Sequence, residues 1–102
     1  MIEISVEKKL SKEVFVNVAG HANYAPRGKD IVCAAISALY QTMLESIKKN
    51  GGNISYGGNN QSQSALIRNP GHDEMLLLDS FLIGCEGVAK AYPYNVKVSR
   101  RG

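Results

Sequence analysis

The sequence predicts a single two-layer α/β domain of the α+β type over residues 1–102, with two helices packed on a mixed or largely antiparallel sheet in the order ββαββαβ. Three observations lead there. Several short stretches alternate apolar and polar residues, the period of strands that bury one face. Two longer stretches space their apolar residues at i, i+3 and i+4, the period of helices. The chain has 102 residues, 44% of them hydrophobic and 21% charged, which is enough for one core, and no repeat or linker divides it.

Each element follows in order. Ile2, Ile4 and Val6 alternate with Glu3, Ser5 and Glu7 as a first strand. Lys8, Lys9, Leu10, Ser11 and Lys12 make a polar turn. Val14, Val16 and Val18 then alternate with Phe15, Asn17 and Ala19, a second strand that folds back as a hairpin and runs out at Gly20 and His21. Residues 23–29 have loop chemistry, with Pro26 fixing its own φ and Gly28 free to take a positive one. Asp30 stands where an N-cap belongs, because a short carboxylate accepts from N–H groups two or three residues on. Behind it Ile36, Leu39, Tyr40, Met43, Leu44 and Ile47 recur at helical spacing. Lys48 and Lys49 suit the negative end of that helix, and Asn50, Gly51 and Gly52 stop it.

The middle of the chain is rich in Gly, Asn, Gln and Ser. It holds a short strand at Ile54 and Tyr56 and a better one at residues 64–68, SALIR. After a turn at Asn69, Pro70 and Gly71, a second helix starts at Asp73. Its apolar stripe is Leu78, Phe81, Leu82, Cys85, Val88, Ala89 and Tyr92, and Pro93 ends it. Tyr94, Val96 and Val98 alternate through a last strand, and Arg100, Arg101 and Gly102 form a frayed basic tail.

Composition excludes several classes. The apolar runs fall far short of a membrane span, and the opening residues show strand alternation in place of signal-peptide anatomy. Two cysteines, in no CxxC pair, are too few for a disulfide scaffold, so a cytoplasmic protein with reduced thiols is expected. A formal charge of +3 is mild and does not by itself indicate nucleic-acid binding.

The chemistry concentrates in GHANYAPRGKDIVCAAIS, residues 20–37. Cys33 falls three residues after the cap, where free N–H groups and the helix dipole stabilise a thiolate and are available to hold a developing oxyanion. The loop can fold His21 back toward that terminus, where its imidazole takes a proton from the thiol and its conjugate acid protonates a leaving amine. Asp30 opposes a thiolate electrostatically. Capping is its first role, and orienting His21 is a second. Ser37 lies four residues after Cys33 on the same helix face, either bonding toward the site or packed as a small buried residue. A cysteine beside Val32, Ala34 and Ala35 also suits plain burial. From these residue types alone, catalysis and burial both stay open.

The order of residues around the pair adds to this. Gly20-His21-Ala22, Tyr24-Ala25, Gly28, Asp30-Ile31-Val32-Cys33-Ala34-Ala35, Ser37 and Leu39 resemble the signature of the Prp family, the ribosomal-processing cysteine proteases of bacteria. The block covers about a fifth of the chain, and the order of elements fits the family throughout. The resemblance implies a dimeric cytoplasmic endopeptidase with a His21/Cys33 pair. Its substrate is a precursor of large-subunit ribosomal protein twenty-seven, cut after adjacent aromatic residues and a small one. It implies no cofactor, no membrane and no direct nucleic-acid binding. Gly20 and Gly28 bracket a loop suited to act as a lid that orders on substrate binding, with Asn23, Tyr24 and Gly28 as its substrate-facing residues.

The other candidates have plainer readings. His72 and Cys85, taken with His21 and Cys33, lack the closely spaced pairs of a zinc site. His72 is expected to be solvated and Cys85 to lie in the core. Tyr24 is either a substrate contact or an exposed aromatic without a partner, whereas Tyr56, Tyr92 and Tyr94 read as sheet and core packing. Lys8, Lys9 and Lys12 with Arg100 and Arg101 read as solvated turns. Their alternative role is the basic surface of a non-catalytic, ribosome-associated binding module.

Overall fold

The computed structural model describes residues 1–9, 11–26 and 28–101, so Leu10 of the first turn, Arg27 of the loop and Gly102 of the tail lie outside the described residues. The elements are β1 (Ile2–Lys8), β2 (Glu13–Ala19), α1 (Ile31–Lys49), β3 (Asn53–Gly58), β4 (Ser62–Arg68), α2 (His72–Ala91) and β5 (Val96–Arg101). The order ββαββαβ therefore stands. The five strands form one mixed sheet in the order β3-β4-β2-β1-β5. Every neighbouring pair is antiparallel except β1 and β5, which run parallel.

Register puts the alternating residues on one face. Val6 pairs with Val16 and Ile4 with Val18, while Val16 pairs with Ala65 and Val14 with Ile67. That face packs against Val32, Ile36, Tyr40, Met43, Leu44 and Ile47 of α1 and Leu78, Phe81, Leu82 and Cys85 of α2. Each fully buried Ile, Leu or Val in this layer contributes roughly 1.5–3 kcal/mol over its exposed state. No helix among the described residues is long and apolar enough to cross a membrane.

Three expectations need correction. The second helix begins at His72 with Gly71 as its cap, one residue earlier than expected, and Glu74 reaches back to accept from the Gly71 N–H. The last strand begins at Val96. The Tyr92 carbonyl accepts the N–H groups of both Asn95 and Val96, so the turn extends through Tyr94, which is 89% exposed and packs in no core. Arg100 and Arg101 do not fray. They pair in register with Val6 and Glu7, and the Arg100 guanidinium meets the Glu86 carboxylate at 2.8 Å and that of Asp79 at 3.7 Å.

Two buried groups set an alkaline limit. Burial pushes the Cys85 thiol from its ordinary 9.0 up to about 12, with a smaller push from the Glu86 charge. Burial also pushes the Tyr40 phenol from 10.0 up to about 12. Both groups hold their protons more tightly folded than unfolded. Their contribution is therefore intact below about pH 9 and is lost as pH rises toward 12. We expect the melting temperature to fall above pH 9, and Cys85→Ala to lower stability at pH 7 while flattening that alkaline fall. Thermal melts from pH 7 to 11 check this, and parallel curves for the two proteins would contradict it.

Candidate active site

The site is built where β2 runs out beside the start of α1. Gly20 makes the exit turn with φ +86, and a Cβ there would collide with the Met1 carbonyl oxygen. The Gly20 N–H donates to the Gln61 carbonyl at 2.8 Å, tying the strand end to the turn between β3 and β4. Two residues on, Ala22 is buried, and its carbonyl accepts from the Asn95 side-chain amide at 2.8 Å. The Ala22 N–H points at the sulfur of Cys33, 3.4 Å away. His21 is thus held on both sides by fixed backbone, with its side chain exposed.

Cys33 is the third residue of α1 and is half-buried, unlike Cys85, which is fully enclosed in the core. The N-cap is Asp30, as the sequence suggests, but its carboxylate does more than cap. Oδ1 accepts the Val32 and Cys33 N–H groups at 3.0 Å each. Oδ2 accepts the N–H groups of Tyr24 at 3.0 Å and Ala25 at 3.3 Å. One carboxylate therefore clasps the loop to the helix. Partial desolvation works to raise its pKa, but the four donors outweigh it and hold the carboxyl below its ordinary 3.8. Among the described residues all of these bonds go to backbone N–H groups and none to the imidazole of His21.

This clasp also changes where an oxyanion can be held. The Val32 and Cys33 N–H groups are taken by Asp30, and the Ala34 N–H donates to the Asp30 carbonyl at 3.1 Å. The three N–H groups nearest Cys33 in the helix start, which the sequence reading offers to an oxyanion, are thus already engaged within the protein.

A cavity of about 640 Å³ brings most of the expected residues together. It is lined by His21, Asn23, Gly28 and Asp30 of the loop, Cys33 and Ser37 of α1, and Asn60 and Gln61 of the turn between β3 and β4. A second cavity of about 330 Å³ shares His21, Cys33, Ser37, Asn60 and Gln61, also touches Gly20, and runs down past Ile36 to Tyr40. Ser37 is exposed on this wall and is not the small buried residue of the alternative reading. Gly28 takes the expected positive φ of +88. Tyr24 is not the aromatic without a partner of one expectation, because its half-exposed ring packs edge-on against Tyr92 at 5.2 Å between centroids. Tyr56 is half exposed beneath the Lys48 ammonium, 5.1 Å from the ring centroid.

Among the described residues no three His, Cys, Asp or Glu side chains converge as metal ligands. His72 is exposed at the start of α2, whereas Cys85 faces the core from the same helix. Lys8, Lys9 and Lys12 are exposed, with the Lys9 ammonium 5.7 Å from the centroid of the Phe15 ring.

The family model for cysteine protease Prp matches residues 1–97. The chain belongs to the cysteine protease Prp family. The fold is shared with solved structures. An essential ribosomal processing protease Prp from S. aureus, bound to a covalently linked product peptide, superposes with a TM-score of 0.84 at 22% identity, and the match covers 98% of this chain and 99% of that one. The same protease in complex with a substrate peptide gives 0.76 at 22% identity, covering 98% and 99%. SMU.848 from Streptococcus mutans gives 0.76 at 21% identity, covering 99% and 94%. No curated relative matches the chain.

Several residues around this candidate site have no signal in the sequence. Asn95 reaches Ala22 across 73 positions, a contact that only the parallel β1–β5 pairing creates. Asn60 and Gln61 lie in the polar middle of the chain, where turn composition announces a turn but not what it faces.

Proposed function

We propose that this chain is a cysteine endopeptidase that removes the short N-terminal extension of large-subunit ribosomal protein twenty-seven, with Cys33 as nucleophile and His21 as its base and acid. The observation that carries this reading is the hydrogen bond from the Ala22 N–H to Cys33 Sγ at 3.4 Å. It places the backbone of His21 beside the sulfur, and both side chains open onto one cavity. Family membership supports the chemistry, and the similar S. aureus protein is a ribosomal processing protease solved with a substrate peptide.

The reaction is acyl transfer. His21 takes the thiol proton, and Cys33 Sγ attacks the carbonyl carbon that follows the small residue of the substrate. The C–N bond breaks, and the imidazolium gives its proton to the departing amine. Water, deprotonated by His21, then attacks the thioester, releases the acid and regenerates the thiol. The Ala22 N–H, 3.4 Å from the sulfur, holds Cys33 Sγ beside the backbone of His21. The protein works as a homodimer in the cytoplasm on a peptide segment, without cofactor, membrane or nucleic acid. The basic binding-module reading is weakened at its tail, where Glu86 and Asp79 take up the Arg100 charge.

Incubation with a peptide spanning the extended ribosomal N-terminus, followed by mass spectrometry, tests the reading. We expect a single cut after the small residue. An intact peptide after prolonged incubation with reduced protein would overturn it.

A further inference from the structure

The three backbone N–H groups that flank Cys33 in the first turn of α1 are already bonded. Val32 and Cys33 donate to the Asp30 carboxylate at 3.0 Å each, and Ala34 donates to the Asp30 carbonyl at 3.1 Å. The Ala22 N–H is on the sulfur itself. A carbonyl attacked by Cys33 nevertheless gathers negative charge on its oxygen, and catalysis needs donors about 2.7–3.1 Å from that point.

Unused donors stand across the cavity. Asn60 and Gln61 line both the 640 Å³ cavity and its 330 Å³ neighbour, and Cys33 lines both as well. Neither side-chain amide has a hydrogen-bond partner among the described residues, although the turn on either side of Asn60 is tied by backbone bonds. The Asn59 carboxamide oxygen accepts the N–H groups of Gln61 at 2.8 Å and Ser62 at 3.1 Å. The Asn59 N–H donates to the Ser62 carbonyl at 2.9 Å, and the Asn59 carbonyl accepts from the Gln63 amide at 2.8 Å. Gly58 lets the strands approach this closely, since a Cβ there would collide with the Ser62 carbonyl oxygen. On the other side, the Gln61 carbonyl accepts the Gly20 N–H at 2.8 Å, one residue before His21. A turn held this way fixes the backbone from which both amides reach the cavity, so the donors start close to where a developing charge needs them.

We infer that the side-chain N–H groups of Asn60 and Gln61 hold the oxygen of the scissile carbonyl as it becomes an oxyanion, which makes both residues catalytic. This rests on the protease reading above. Two variants test it with the same peptide, Asn60→Ala/Gln61→Ala and the single Gln61→Met, which keeps the side-chain size and removes the donor without adding a charge. We expect kcat to fall about 10²–10³-fold in each, with KM little changed and the pH profile of kcat unmoved. Iodoacetamide should alkylate Cys33 at the wild-type rate in both, because displacement at its methylene carbon forms no oxyanion. Wild-type kcat in both variants, or a loss confined to KM, overturns the inference. So does a parallel loss of alkylation, which would assign the residues to positioning the thiol. Failure of the wild-type protein to cleave would instead overturn the protease reading and this inference with it, so the two failures are separable.

Discussion

We expect Cys33→Ala to abolish cleavage of a peptide spanning the proposed ribosomal extension and to leave the fold in place. Cys33 is the cysteine that lines the cavity, whereas Cys85 is sealed in the core with its thiol pushed up to about 12. Loss of the nucleophile is expected to lower kcat on the order of 10⁴–10⁶-fold, leaving only what binding and polarisation supply. The structural consequence is small. Cys33 is half-buried at the edge of the core, and its removal leaves one N–H, that of Ala22, without its acceptor beside an open cavity. A neutral hydrogen bond of that kind contributes about 1 kcal/mol, and water in the cavity replaces part of it. The melting temperature should therefore stay close to that of the wild type. Full cleavage by Cys33→Ala would remove Cys33 from the mechanism. A collapsed melting transition would mean that the residue is chiefly structural. Cys85→Ala gives the converse pattern, with lower stability and retained cleavage.

The architecture was legible because its signals are local. Alternation at Ile2, Ile4 and Val6, and the helical stripes through Ile36 and Phe81, each specify an element and its buried face within a few residues of one another. The Asp30 cap was legible for the same reason, since its Val32 and Cys33 partners lie two and three residues away. The tail was misread because its order depends on a partner nearly the whole chain away. Arg100 and Arg101 look like a solvated end until the parallel pairing with β1 and the acidic face of α2 are in place. The exposure of Tyr94 likewise follows from hydrogen bonds to the Tyr92 carbonyl that delay the strand to Val96.

The same distinction applies within the site. His21, Cys33, Asp30 and Ser37 stand out because they share one run of sequence and the helical spacing of α1. The far wall, Asn60 and Gln61, comes from a different hairpin and reaches the cavity through the β2–β4 pairing of Ala19 with Ser62. Sequence spacing does not encode that proximity. It also hid the occupancy of the helix N–H groups, since a cap and an oxyanion hole draw on the same donors and only the bonded structure shows which claim prevails.

Asp30→Asn separates the two roles that one carboxylate performs, and we expect activity to fall on the order of 10²-fold in kcat/KM while the fold persists. Asparagine caps helices about as well as aspartate, so its amide oxygen can keep the Val32 and Cys33 N–H groups. Its NH₂ group must then face the Tyr24 and Ala25 N–H groups, donor against donor, where Oδ2 now accepts both. The clasp opens on the loop side only. The segment that follows His21 loses its anchor to the helix, and the imidazole and cavity wall lose their placement relative to Cys33. Asp30→Ala removes both halves, so it should lower the melting temperature as well as the activity. Hydrogen exchange at Tyr24 and Ala25 should quicken in both variants, whereas exchange at Val32 and Cys33 should quicken only in Asp30→Ala. The sign of the pH effect follows from the lowered carboxyl. Its contribution is present above the ordinary 3.8 and is lost as pH falls through the lower folded value, so the acid limb of stability should be shallower in Asp30→Asn. Wild-type kcat/KM in Asp30→Asn would show that the clasp only caps the helix and that the loop needs no anchor for catalysis.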